Sequence, residues 1–334
     1  MEAKTPVESH SLLIELRTVA LTSLALLAFA ANSLLCRQAL APAAETAQAM
    51  DPYSFTLVRL FSGAVMLAVL TLLRRWLIER RVSLVSACPS KDSKALSVNR
   101  SWLRRGAALW LALYALGFSL AYVELGAALG ALILFATVQF TLMTAALVQR
   151  ESLSKRQWLG FLFALTGFVW LVLPAVTKQS DASNISFIGV GLMVVAGIAW
   201  GFYTLAGRGS LDPLKESRDH FAASLLWIVL VALIFVLFAS LWLDEITIHI
   251  NLDHRGLYLA VASGALASGV GYALWYQALR YLQASYAAVS QLLVPILAAI
   301  GAALWLQEPI TQGLITAGSL VLLGIALMTV KSKP

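Results

Sequence analysis

The sequence predicts an all-α membrane protein of ten transmembrane helices, arranged as two inverted five-helix repeats. Three observations carry this. Hydrophobic residues make up 60% of the chain and charged residues 12%, with a mean hydropathy of +0.82, outside the range of soluble globular domains. Ten apolar segments follow one another, several of them near the ~20 residues that a helix needs to cross a bilayer. Residues 127–151 return as residues 284–308, at an offset of 157. At that offset Ala127 meets Ala284, Ala131 meets Ala288, Ala145-Ala146-Leu147 meets Ala302-Ala303-Leu304, and Glu151 meets Glu308. A match that needs no gap reads as internal duplication.

In chain order the segments are 18–37, 53–73, 103–123, 127–148, 157–173, 187–206, 221–243, 257–279, 284–304 and 312–330. This gives an N-terminal segment 1–17, a first repeat 18–173 with a basic loop 74–105, a linker 174–186, a second repeat 187–330 and a tail 331–334. The charges orient the chain. With the N-terminus in the cytoplasm, the loop after the second span carries Arg74, Arg75, Arg80, Arg81, Lys91, Lys94, Arg100, Arg104 and Arg105. Later loops on that side carry Arg150, Lys155, Arg156, Arg208, Lys215, Arg218 and Arg280, and the tail carries Lys331 and Lys333. The other face has only Arg37, Lys178 and Arg255 among basic residues. Basic residues gather on the cytoplasmic side of membrane proteins, so both termini are expected there. The net charge of +7 is then accounted for without a nucleic acid partner.

The first segment is expected to be a retained span. Ala39-Leu40-Ala41 resembles a signal-peptidase site, but Pro42 follows it at once and the apolar run is long. Five spans per half is an odd number, so the second half enters the membrane upside down. Inverted repeats recur in secondary transporters, where exchanging the roles of the halves creates two openings.

Polar groups inside a span are costly in lipid and usually face the bundle interior. The candidates for contact with a substrate are Asn32, Arg59, Gln139, Trp200, Tyr203, Tyr272, Tyr276 and Gln291. Ser33, Trp275, Gln277 and Ser290 are secondary. Asn32, Gln139 and Gln291 serve equally well as interhelical hydrogen bonds, at ~0.6–2 kcal/mol each. Trp275 and Tyr276 lie near the cytoplasmic end of their span, where the aromatic belt explains them; Tyr272 is one turn deeper. Arg59 lies about two turns into the second span at ~1.5 Å per residue. Arginine at depth costs ~2.5–3.5 kcal/mol. It is expected to snorkel or to pair with Asp51 or Glu124, ahead of binding a substrate carboxylate.

Other features read as architecture. Glu151 and Glu308 precede the helices whose N-caps are Ser154 and Thr311, and a carboxylate there suits the helix dipole. Gly197 and Gly201, and Gly264, Ala267, Ser268 and Gly271, form small-residue faces for close helix packing. Pro295 is expected to kink the ninth span, whereas Val138 at the matching position of the fourth leaves it straighter. Cys36 and Cys88 fall on opposite sides. The cluster Asp244, Glu245, His249, Asp253 and His254 matches no sharp metal pattern, so no metal and no other cofactor is expected. No Asp, Glu or His lies firmly at mid-membrane, which leaves proton coupling unsupported.

The two five-span halves, the Ala-rich fourth and ninth spans ending in Glu, and Gln-Glu-Pro-Ile-Thr at 307–311 carry a family resemblance. Trp200-Gly201-Phe202-Tyr203, Arg59 and Tyr276-Gln277-Ala278-Leu279 extend it. Together they resemble the EamA family of the drug/metabolite transporter superfamily. That resemblance implies an inner-membrane carrier that exports or exchanges small organic solutes, such as amino acids, amphiphilic drugs or metabolites. No phosphate-binding loop ending in Gly-Lys-Ser/Thr is present, which favours secondary transport over a built-in ATP motor. The expected partners are a small-molecule substrate and the lipid bilayer, with a homodimer left open. Two alternatives stand beside the carrier: a non-catalytic membrane partner or assembly protein, and a membrane-embedded enzyme. The enzyme lacks a reactive set such as paired acids or a His pair within a turn or two.

Overall fold

In lipid each backbone N–H and C=O must be satisfied within the chain, which leaves helices as the way to bury long apolar runs. The computed structural model describes residues 6–41, 49–82, 105–148, 154–177, 186–208, 210–242, 253–282, 287, 290–291 and 293–329. Among them no strand occurs. The helices are α1 (Pro6–Leu40), α2 (Pro52–Val82), α3 (Ala107–Glu124), α4 (Ala127–Val148), α5 (Lys155–Thr177), α6 (Phe187–Gly207) and α7 (Pro213–Trp242). They are followed by α8 (His254–Leu279), α9 (Leu293–Leu306) and α10 (Gln312–Thr329). Seven of the described helices are long and apolar enough to cross a membrane, and three shorter apolar stretches lie in α5, α9 and α10. The chain is an all-α, multi-pass membrane protein.

The helix starts follow from local chemistry. At both α2 and α7 an Asp-Pro pair opens the helix, with proline at the first helical position, where its missing N–H costs nothing. Asp51 accepts from Ser54 N at 2.8 Å, and Asp212 from Lys215 N at 3.4 Å. The second of these starts moves a boundary: α7 begins at Pro213, where hydropathy alone places the span from 221. The polar turn Lys215-Glu216-Ser217-Arg218-Asp219-His220 hides the helix from a hydropathy reading, yet a good cap and strong helix formers continue it. At α9 the break is visible. Pro295 has no N–H to give to the Gln291 carbonyl, which instead accepts from Val294 N at 3.2 Å. The matching stretch of α4 runs unbroken past Val138.

Packing follows a repeated scheme. α3 lies on α6 and α8 on α1; α4 lies on α6 and α9 on α1; α2 packs against α7, and α5 against α10. The small-residue faces sit at the crossings. Gly197 and Gly201 of α6 leave room for Thr137 and Thr141 of α4, and Gly264 of α8 lies against the Arg59 carbonyl of α2. Large apolar residues such as Ile188, Leu226 and Leu304, exposed by 70%, 73% and 80%, form the outer surface, which suits contact with acyl chains.

Glu308 is architectural, as its position implies, but it serves another helix. Its Oε2 accepts from Ala127 N at the start of α4 at 2.8 Å, and its Oε1 accepts from Arg37 Nε at 3.2 Å. Arg37 Nη1 also donates to the carbonyls of Tyr122 and Val123 at 2.9 and 3.2 Å. One clasp thus joins α1, the α3–α4 corner and the chain after α9. Gln307, in the left-handed conformation at φ 54°, turns the chain so that Glu308 reaches in. Thr311 caps α10, accepting from Leu314 N at 3.2 Å. Glu151, Cys88, Asp244, Glu245, His249 and most of the basic loop lie outside the described residues; Asp253 caps α8 through Gly256 N at 3.0 Å.

Candidate functional site

The polar residues of the described bundle converge where α1, α2, α3 and α8 meet. Arg59, seven residues beyond Pro52, is only 1% exposed, so it does not snorkel. Among the described residues no carboxylate pairs with it, and neither Asp51 nor Glu124 reaches it. Its Nε donates to Ser268 Oγ at 2.8 Å, and its Nη2 donates to Tyr272 OH at 2.7 Å and Tyr114 OH at 3.2 Å. The guanidinium also lies 5.0 Å from the Phe118 ring centre and 5.3 Å from that of Tyr114. Bonds from a charged donor contribute ~1.5–3 kcal/mol each. Three of them therefore outweigh an insertion cost of ~2.5–3.5 kcal/mol. Nη1 is buried with no hydrogen-bond partner.

Why do two serines of one helix reach this point? Residues 263–270 form a π-helical stretch within α8. In an α-helix residues five apart are ~140° apart around the axis. A π turn closes i→i+5 bonds and brings such residues toward one face. Ser263 and Ser268 accordingly both donate to Asn32 Oδ1, at 2.7 and 3.3 Å. Asn32 Nδ2 donates to Tyr114 OH at 3.4 Å, and Tyr272 OH bonds Tyr114 OH at 3.0 Å.

An aromatic wall continues from this cluster into α6 and α7. Trp200 lies 4.7 Å from Tyr272, 4.8 Å from Tyr114 and 5.3 Å from Phe29, measured between ring centres. Its Nε1 donates to Gln291 Oε1 at 3.0 Å, beside the break before α9. Tyr203 stacks on Tyr276 at 5.0 Å, and Tyr276 OH donates to the Tyr203 carbonyl at 3.0 Å. His220 of α7 packs edge-on against Tyr203 at 5.7 Å and Tyr276 at 6.1 Å. Such pairs add ~0.5–1.5 kcal/mol beyond the area they bury.

Seven of the eight expected residues thus belong to one connected cluster. Gln139 does not: it is buried on α4 but makes no hydrogen bond to the others. The aromatic-belt expectation for Trp275 and Tyr276 is overturned, because both are fully buried. Phe29 of α1 packs on Trp275 at 5.7 Å between ring centres, and α6 and α7 cover Tyr276. The sequence reading missed Tyr114, Phe118, Ser263, Phe29 and His220. Tyr114 carried a usable signal, a phenol midway along a largely apolar span. His220 carried little, since it falls in the polar turn before the seventh apolar run.

The fold and this buried cluster define a polytopic helical membrane protein with a polar, aromatic centre enclosed by helices of both halves. The family model for the EamA-like transporter family matches residues 187–330. An uncharacterized protein of Pseudomonas aeruginosa is 46% identical over 93% of this chain and 94% of its own. A protein of Escherichia coli K12 named "Probable amino-acid metabolite efflux pump" is 26% identical over 60% of this chain and 66% of its own. A solved crystal structure superimposes with a TM-score of 0.58 at 16% identity, over 93% of this chain and 96% of that one, and shares the fold. This chain belongs to the EamA-like transporter family.

Proposed function

We infer that the protein is a secondary transporter of small organic solutes, amino-acid-like metabolites or amphiphilic compounds, which it exports or exchanges across the inner (plasma) membrane. The observation that carries this reading is the cluster around Arg59, Asn32, Tyr272, Trp200 and Gln291. It gathers costly polar groups at the meeting of both halves, where a carrier of this family needs a site. The wall of Trp200, Tyr203 and Tyr276 suits an apolar portion of the solute, and Asn32, Arg59 and Gln291 suit its polar end.

The mechanism that fits is alternating access between two inverted five-helix repeats, the ends of the bundle closing in turn around a central site. Three features support it. The 157-residue duplication spans an odd number of apolar segments. The packing of α3 on α6 is mirrored by that of α8 on α1. Equivalent Asp-Pro caps open α2 and α7. With the basic loops facing the cytoplasm, both termini lie there too, and Arg37–Glu308 clasps the outer end. The relative from Escherichia coli bears a name that fits export of amino-acid metabolites.

The test is reconstitution into proteoliposomes, with labelled amino acids outside and a mixture of unlabelled amino acids inside. Uptake faster into loaded than into empty vesicles is the expected result for a carrier. Absence of flux for amino acids, metabolites and lipophilic cations alike, from protein that remains folded, would sink the reading. Binding is checked in parallel, since a solute at 100 times its dissociation constant adds ~2.7 kcal/mol to native stability.

A further inference from the structure

We propose that Arg59 binds the carboxylate of the transported solute, so that the substrates are organic anions or zwitterions and not cations. This rests on the transport reading above and narrows it. A buried arginine in a membrane protein normally has an acidic partner or reaches for the headgroups. Arg59 does neither among the described residues: it is 1% exposed, and its contacts are hydroxyls and ring faces.

Counting donors against acceptors leaves a surplus of one sign. A guanidinium has five N–H donors. Nε uses one on Ser268 and Nη2 uses two on the phenols, which leaves both N–H groups of Nη1 with no partner. Tyr114 and Tyr272 share one bond between them, and each oxygen accepts from Arg59. Two phenol protons are available for one mutual bond, so one is left over. Asn32 Oδ1, the acceptor facing this group, is taken by Ser263 and Ser268. What the site lacks is an acceptor with two oxygens and a negative charge. A carboxylate supplies it, taking Nη1 on one oxygen and the spare phenol proton on the other, with charge-assisted bonds that neutral solutes cannot match.

The same chemistry excludes amphiphilic cations. A permanent positive charge at low exposure repels an ammonium, and the cluster offers no carboxylate to offset it. The rings of Phe29, Trp200 and Tyr272, in mutual contact at 4.7–5.6 Å between centres, adjoin Arg59 and would face the solute's apolar part.

The experiment is thermal unfolding of the purified full chain with four probes of one shape: phenylacetate, L-phenylalanine, phenylacetamide and 2-phenylethylamine. A rise in Tm with both carboxylates, and none with the amide or the amine, is expected. In Arg59→Gln that rise disappears, and the ligand-free Tm falls because the bonds to Ser268, Tyr114 and Tyr272 are lost. Arg59→Lys, which keeps the charge but loses the planar fork, retains a reduced rise and guards against a misfolded Gln variant. The proposal is overturned if neither carboxylate shifts Tm, if the amine shifts it as much, or if the rise survives in Arg59→Gln. Flux of 2-phenylethylamine without flux of either carboxylate would sink this proposal and leave the carrier reading standing. Carboxylate binding without any flux would do the reverse.

Discussion

Arg59 and His220 each lie eight residues after the aspartate of an Asp-Pro helix start. Their surroundings differ. Arg59 is a permanent cation, 1% exposed, among hydroxyls, an asparagine's neighbours and two ring faces. His220 is half-buried and lies edge-on to the stacked pair Tyr203 and Tyr276. Tyr272 links the regions, bonding Arg59 through its hydroxyl and lying 6.2 Å from Tyr203 between ring centres. The two helix starts share an Asp-Pro cap, while the chemistry eight residues further on differs. Hydrogen bonding is concentrated around Arg59, and ring packing around Tyr203 and Tyr276.

The backbone crossings sharpen this contrast most. At Gly264 an added methyl would run into the Arg59 carbonyl and Ser62 Oγ, and a carbonyl cannot step aside without moving α2. Gly264→Ala is expected to cost about 3 kcal/mol or more, the upper end for overpacking, or to yield no folded protein. At Gly207 the same methyl meets the Tyr276 ring, which can shift. Gly207→Ala is expected to cost about 1–3 kcal/mol. Unfolding in a graded detergent series measures both, and equal losses would mean that the two regions tolerate displacement alike.

Hydroxyl deletions come next in size. Tyr272→Phe leaves a buried guanidinium short of an acceptor at 2.7 Å, and such a group costs ~1–3 kcal/mol or more. Tyr276→Phe removes a neutral bond to the Tyr203 carbonyl at 3.0 Å, for ~0.5–1.5 kcal/mol. The ring stack survives in both variants. If Tyr276→Phe proves the costlier, the division into a polar and a packing region is wrong.

These comparisons also mark what was legible in the sequence. Membrane class and all-α architecture followed from composition and apolar runs, since lipid permits few other solutions. Arg59, Asn32, Trp200, Tyr203, Tyr272, Tyr276 and Gln291 stood out because polar and amphipathic residues within apolar spans are conspicuous. Their partners were less visible. Ser263 and Ser268 meet Asn32 only through a π turn, and no residue pattern in 263–270 announces one. Trp275 and Tyr276 looked like interfacial aromatics because depth was read from helix ends alone; here α1 packs on Trp275, and α6 and α7 on Tyr276. Gln139 is the converse, a buried polar residue in a span with no hydrogen bond to this cluster.

The clasp at Glu308 offers a middle-sized test. Glu308→Ala removes the acceptor for Ala127 N and the partner of Arg37. Loss of a helix cap costs ~0.5–2 kcal/mol, and the ion pair is partly exposed, so a total of about 1–2 kcal/mol is expected. Binding of a solute should be little changed, since the clasp shares no hydrogen bond with Arg59. A large fall in binding with stability intact would instead tie the clasp to the closed state of the site.

The smallest effect is expected where the two caps themselves differ. Asp51 sits 2.8 Å from Ser54 N, whereas Asp212 sits 3.4 Å from Lys215 N and bonds Arg74 of α2 at 2.7 Å. Burial pushes the Asp212 carboxyl up, but the Arg74 hydrogen bond and the Lys215 N–H together hold it below its ordinary value. Because its folded pKa is depressed, the contribution is present above the unfolded value, ~3.9 for aspartate, and is lost as pH falls through the lower folded value. The pair is exposed by 51% and 40%, and such pairs contribute ~0–1 kcal/mol, weakened by salt. Arg74→Ala should therefore lower Tm slightly at neutral pH and low salt. The difference from the parent should shrink at high salt and vanish once the pH has fallen below the lowered folded value of Asp212. A difference that persisted in acid would assign Arg74 to packing of its aliphatic stem on α7, and the two Asp-Pro caps would then stand as electrostatic equals.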